Sequence, residues 1–367
     1  MTMKDKMTPK ERWLAAIRMQ PLDRLPFWPK LDGAYPKAQE ERFKGMDIEK
    51  IHEFIGSDRH IWINSCIKEK RSRTSVEHVK GDNETRTVFK SKYGQTELVC
   101  VLDETSSSRH PVKFPVESPD DILHMIEMYE DISVELDVQE HEKTKTRVKE
   151  IGPNAVTSTS FGESPLMYWI EWMAGVENGH YLLADQPEKV ECLFNAMQKV
   201  LIAREKIVCE HNPADLIYLT ENTSTTLISP DQYRTYCSKQ VGECAKIAKA
   251  TDRNMVLHMC GHLKDILPDL AKIPVRAFEA FTAPTLGNTT LLDGRTNCPD
   301  KCLIGGTNAM LWLKKPDEII KEIKQRLDEL PHTRGIVVTS AGVMPPLCKP
   351  ETIKEVCEWV KTYPVRS

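Results

Sequence analysis

The chain has 367 residues, with 50 Lys and Arg against 54 Asp and Glu and a formal net charge of −4. The two signs are well mixed, so no electrostatic footprint for nucleic acid or an anionic membrane surface is present, and the expected partners are neutral or small. The 11 cysteines are odd in number and scattered, which argues against a disulfide framework and for reduced thiols, most of them buried packing residues.

The first residues lack an apolar signal-peptide core, and no run of about 18 apolar residues occurs, so a cytoplasmic location is expected. Thr8-Pro9-Lys10-Glu11 has an N-cap residue, a proline at the first helical position and a glutamate at the third. It predicts a helix through about Met19, ended by Pro21 and Pro26. Phe27-Trp28-Pro29-Lys30-Leu31-Asp32 reads as a first short strand running into two charged residues. Residues 84–102, folded about Tyr93-Gly94, read as a β-hairpin inserted over about 82–103 in a single domain of residues 1–367. The hairpin is expected to serve as a lid or an oligomer contact, with a homodimer as the expected assembly.

From about residue 116 helical stretches (Pro119 to Glu130, Ser133 to Lys149) alternate with short β-branched runs. The runs are Asn154 to Ser160, Ala214 to Thr220, Asn254 to His258, Val275 to Phe281, Lys301 to Gly306 and Gly335 to Ser340. Such alternation means parallel strands joined by helical crossovers. With the segments near Phe27 and Ile61 the count reaches about eight, an α/β chain folded as a (β/α)8 TIM barrel, whose active site lies at the carboxyl ends of the strands.

That rule selects Lys30, Asp32, Glu163, Glu221, His258 with Cys260, Glu279 and Asn308. His258-Met259-Cys260-Gly261 closes the run Met255-Val256-Leu257, and side chains two apart on a strand share a face. An imidazole and a thiolate aimed at one spot suit zinc; the alternative is a chance histidine beside a buried cysteine. Glu221 starts a barrel loop and is the expected third ligand, unless loop amides hold it. Glu279 lies inside Phe278-Glu279-Ala280-Phe281, where an ionised carboxylate needs a partner. It is read as a fourth ligand, as an orienter of His258, or as the partner of a barrel Arg or Lys. Cys298 and Cys302 fall at the opposite mouth, Cys348 reaches the site only if its loop folds inward, and His262 reads as a cap. Met167, Tyr168 or Trp172 could line a pocket for a flat substrate or a planar cofactor, core packing being the alternative. Leu303-Ile-Gly-Gly-Thr-Asn permits close backbone approach, to a ligand or simply in a tight loop. There is no Walker loop, Rossmann fingerprint, nucleophile elbow or C-x-x-C.

Thr8-Pro-Lys-Glu-Arg-Trp, Leu257-His-Met-Cys-Gly-His, Cys302-Leu-Ile-Gly-Gly and Val343-Met-Pro-Pro ahead of Pro350-Glu-Thr-Ile-Lys together resemble the uroporphyrinogen decarboxylase superfamily. The likeness is to its corrinoid-dependent methyltransferase branch, runs over nearly the whole chain and implies a (β/α)8 barrel. The decarboxylase's N-terminal arginine pair is missing from Phe27-Trp-Pro-Lys-Leu-Asp-Gly-Ala-Tyr, although Asp32 stands where a family aspartate does. The zinc methyltransferases' late Gly-Cys-Gly is replaced by Ser340-Ala-Gly-Val-Met-Pro-Pro. The resemblance thus implies zinc on His258 and Cys260, with Glu221 and then Glu279 or Cys348 completing the set.

The expected cofactors are Zn2+ and a corrinoid carried by a partner protein. The expected reaction moves a methyl group from a methoxylated, aromatic compound to cobalt(I). Glu221, His258 and Cys260 are the expected catalytic residues, and Asp32, Glu163, Tyr168 and Asn308 bind the substrate. A carboxylate in the ligand set leaves zinc more acidic, which favours an oxygen leaving group. The alternatives are methyl transfer from methylcobalamin to a thiol, tetrapyrrole decarboxylation without a metal, and a non-catalytic corrinoid-binding barrel.

Overall fold

Alternation of side chains along eight short apolar runs builds the architecture. The computed structural model describes residues 5–104 and 108–366. The runs become parallel strands β1 (Phe27–Trp28), β2 (Arg59–Trp62), β3 (Ala155–Glu163), β4 (Leu216–Thr220), β5 (Asn254–His258), β6 (Ala277–Phe281), β7 (Cys302–Gly305) and β8 (Ile336–Thr339). They form one sheet in the order β1-β8-β7-β6-β5-β4-β3-β2, and the seam is bridged where the Asp58 N–H donates to the Phe27 carbonyl at 2.8 Å. The result is a nearly closed TIM-type barrel surrounded by helices.

Period-two alternation separates two cores. Trp28, Val156, Tyr218, Val256, Ala277, Cys302, Ile304 and Val337 pack together inside the barrel, with Trp13, Ala16 and Ile17 of helix α1 (Pro9–Ile17) joining them. Their strand neighbours Ile217, Leu219, Met255, Leu257, Phe278, Leu303, Ile336 and Val338 face the helices in the larger cluster. α1 starts at the capping box expected from Thr8 and Glu11.

Two segments differ from the expectation. Ser133–Leu136 is a strand, paired antiparallel with Ile67–Lys70, and the helix begins only at Val138. The reason is local: Ser-Val-Glu-Leu alternates with period two, and the Asp137 carboxylate accepts from the Glu140 N–H at 3.0 Å as the N-cap. The hairpin Glu84–Ser91 and Gly94–Asp103 is the centre of a four-stranded meander, flanked by Ser75–Lys80 and Ser108–Lys113. Those outer strands carry mostly exposed polar side chains, which hid them among loop sequence.

One buried charge is a stability liability. Glu205, on the helix Pro187–His211, is fully buried, and burial, only partly offset by the neighbouring Cys244 thiol, pushes its pKa up to about 8. The folded state therefore keeps a proton that the unfolded state releases, so this group's contribution to stability falls as pH rises from the ordinary carboxylate range towards 8. Glu205→Gln is expected to raise the unfolding free energy by about 2–4 kcal/mol at pH 8 and to flatten that pH dependence. Urea melts of both proteins between pH 5 and 8 measure it.

Candidate active site

Parallel register sets Glu163, Thr220, His258 and Glu279 side by side across β3 to β6 at the carboxyl end. The loop after β4 is tied to this row, because the N–H groups of Glu221 and Asn222 donate to the His258 carbonyl at 2.9 and 3.0 Å. His258 and Glu279 occupy the inward-facing positions of their strands, and Cys260 continues the parity of His258.

The His258 imidazole bonds through Nδ1 to Glu279 Oε2, and Lys30 Nζ donates to Glu279 Oε1 at 3.1 Å. Glu279 is only 1% exposed, so burial opposes its charge. Lys30 and His258 overcome that penalty and hold the carboxyl below its ordinary range. Burial likewise opposes the imidazolium, and the Glu279 charge, with hydrogen bonds to Cys260 and Glu279, holds His258 above its ordinary range. The Cys260 thiol is exposed, within hydrogen-bonding reach of His258, and donates to Asn222 Oδ1 at 3.4 Å.

A second group of carboxyls stands beside this pair. Glu171, on the π-helical turn Trp169–Met173, accepts from Asn222 Nδ2 at 3.0 Å and hydrogen-bonds Glu163. Burial first, then the Glu171 charge, pushes Glu163 far up, and burial raises Glu171 as well, so the pair shares at least one proton at neutral pH.

The ligand set His258, Cys260, Glu221 and Glu279 does not assemble. Among the described residues no three His, Cys, Asp or Glu side chains are grouped to hold a metal ion. His258 and Cys260 do lie together, with Nδ1 spent on Glu279. Glu279 is engaged by Lys30 and His258, the arrangement of a carboxylate that orients an imidazole. Glu221 is fully buried. Its Oε2 takes the Thr223 hydroxyl at 3.1 Å, its Oε1 has no hydrogen-bond partner among the described residues, it lies beside Ser164 and beside Tyr233 and Cys237 of the outer shell, and burial raises its pKa to about 7. One residue past the strand it has the opposite parity to Thr220, and the Thr223 hydroxyl of its own loop holds its Oε2. Cys348 is buried in the outer core, its carbonyl accepting from Tyr35 Oη, and burial pushes the thiol up to about 12.

Of the residues expected to hold substrate, Asp32 lines a cleft of about 720 Å³ with Trp28, Lys30, His60, Trp62 and Val343. Its Oδ1 also accepts from the N–H groups of Ala34 and Tyr35, both at 3.0 Å. Glu163 and Tyr168 line a smaller pocket of about 270 Å³ with Tyr129, Arg204 and Thr220. Trp172 hydrogen-bonds Glu163, whereas Met167 is buried in the outer core. Both ends of the Asn308 amide are engaged within the chain. Its Oδ1 caps the short helix Ala309–Leu313 through the Leu311 N–H at 3.0 Å, and its Nδ2 donates to the Pro284 carbonyl at 2.6 Å. Sequence reasoning passed over Glu171, Asn222 and Trp62. Glu171 carried a usable signal, a carboxylate between Ile170 and Trp172 in an otherwise apolar turn.

Comparison with known proteins adds three findings. A stretch of 112 residues, 30% of this chain and 30% of the relative's length, is 26% identical to the methylated-thiol–coenzyme M methyltransferase of Methanosarcina mazei. The match thus spans under a third of that protein. Among solved structures, a methyltransferase from Methanosarcina mazei superposes with a TM-score of 0.60 over 97% of this chain and 98% of its own, at 16% identity, which is a likeness of fold. Residues 105–363, well over half of the chain, match the model of the uroporphyrinogen decarboxylase (URO-D) family, to which the chain therefore belongs.

Proposed function

We propose that this URO-D family chain is a methyltransferase that takes a methyl group from a small methoxylated aromatic compound and passes it to the cobalt(I) corrinoid of a partner protein. The observation that carries this reading is the His258–Cys260 pair at the barrel mouth, its imidazole oriented through Nδ1 by Glu279. Nε2 is then the ring nitrogen left for a ligand, beside an exposed thiol, and a nitrogen–sulfur donor pair suits zinc. Two protein donors fit; Glu279 is engaged by Lys30 and His258, and Glu221 is buried on the opposite parity beside Thr223. Bound there, zinc would supply Lewis-acid activation of the atom that carries the methyl group.

The chain's own residues do the rest. Lys30 and Glu279 fix the imidazole plane, and the cleft beside Lys30 receives the substrate. Trp62 is 48% exposed within that cleft and packs edge-to-face against His60 and Tyr218 with ring centroids 5.2 and 4.8 Å away, which braces its exposed face as a flat wall. Such a wall favours an aromatic ring. The names of both Methanosarcina relatives support methyl transfer as the reaction class.

The test follows cobalt(I) absorbance after zinc-loaded chain, a reduced corrinoid protein and a methoxybenzoate are mixed. Zinc-dependent loss of the cobalt(I) band with growth of methylcobalt supports the reading, and an unchanged spectrum refutes it. Trp62→Ala is expected to raise KM for the methoxybenzoate about tenfold, with a smaller change in kcat, as befits loss of a stacking surface.

A second reading has methylcobalt giving its methyl group to a thiol. The name of the curated relative favours it, and a thiol supplied with methylated corrinoid protein separates the two. Activity in metal-free protein would restore the decarboxylase alternative.

A further inference from the structure

The Asn222 carboxamide is clamped at both ends. Its Nδ2 donates to Glu171 Oε2 at 3.0 Å, and its Oδ1 accepts from Cys260 Sγ at 3.4 Å. Both anchors are specialised backbone. Asn222 has φ 40°, in the left-handed region that asparagine tolerates better than most residues. Glu171 sits on the π-helical turn Trp169–Met173, a one-residue insertion that resets the face a side chain presents and that recurs at functional sites. The Asn222 backbone N–H is fastened to the His258 carbonyl, which ties the loop carrying the amide to the strand carrying the imidazole.

We propose that Asn222 is a positioning residue for the Cys260 thiol and that Glu171 acts through it, holding the amide so that its oxygen faces the sulfur and keeps it beside His258. The assignment rests on the reading of His258 and Cys260 as the working pair. It gives the π-helical turn and the left-handed asparagine a common purpose, since both place one end of the same hydrogen-bonded chain Glu171–Asn222–Cys260. A sulfur oriented in advance spares the site the cost of ordering it when a ligand arrives.

The experiment measures alkylation of Cys260 by iodoacetamide in the full metal-free chain, resolved by peptide mass spectrometry. Among the described cysteines only Cys192 and Cys260 are exposed, so Cys192 serves as the internal reference. The variants are N222G, which removes the amide while suiting the positive φ, together with E171A and E171Q. Loss of one hydrogen bond to the thiol is expected to speed Cys260 alkylation about threefold to tenfold in N222G and E171A, with Cys192 and the melting temperature unchanged. E171Q keeps an oxygen that accepts from Asn222 and is expected to stay within about twofold of the wild type. Unchanged Cys260 rates in both variants overturn the proposal, and E171Q behaving like E171A overturns the part played by the hydrogen bond. The alkylation rates decide whether or not the wild type takes up metal, so failure of the zinc reading and failure of this inference give different results.

Discussion

Asp58→Ala is expected to cost about 3–5 kcal/mol of folding stability, the largest stability effect of any single substitution at the barrel seam. Asp58 is fully buried and its carboxylate binds Arg12 Nη1 at 2.5 Å, Arg24 Nη1 at 2.7 Å and the Phe27 N–H at 3.1 Å. Arg12 is itself 0% exposed and carries Asp23 on its Nε at 2.7 Å. The cluster joins α1, β1 and the start of β2 where the sheet lacks a regular ladder. Its net worth over an apolar replacement is small, because burying charge costs much of what pairing returns. Removing one member is different: two guanidinium groups lose their central anion in a place water does not reach. Chemical denaturation with matched m-values for both proteins measures the loss, and a change below about 1 kcal/mol would mean that the remaining carboxylates re-pair with both arginines.

Cys260→Ser and His258→Ala should each lower methyl transfer by at least about a hundredfold, because groups one bond further from a metal already cost 10–100-fold when removed. Neither change should unfold the protein: Cys260 is exposed, and the strand below His258 is held by backbone ladders to β4 and β6. His258→Ala leaves Glu279 paired with Lys30, so no bare buried charge results. Stopped-flow decay of cobalt(I) together with zinc stoichiometry checks both variants. Full activity in either removes the pair from the chemistry. Loss of zinc together with activity agrees with a ligand role, and loss of activity with zinc retained points to contact with substrate instead.

The barrel was legible because parallel strands buried on both faces read as continuous apolar runs, and six such runs separated by helical stretches admit few topologies. The meander's outer strands and Ser133–Leu136 were not legible, since short polar strands are specified by their neighbours' ladders and not by their own composition. Within the site, the adjacency of His258 and Cys260 follows from period two on a single strand, and the need of Glu279 for a partner follows from its apolar neighbours. The fates of Glu221 and Asn308 do not follow in that way. Both stand at strand ends, as functional residues do, but the Thr223 hydroxyl holds Glu221 Oε2, and the Pro284 carbonyl and Leu311 N–H hold the Asn308 amide.

What the chain determined by itself was therefore whatever depends on local periodicity and capping: α1, the barrel strands and the shared face of the imidazole and the thiol. Tertiary structure alone decided which carboxylates reach them. Lys30 and Glu279 are 249 positions apart, and Glu171 meets Asn222 across 51. The register of parallel strands and one π-helical turn set those meetings, and the hydrogen bonds that fix a side chain's direction beyond a strand end come from partners no local window contains.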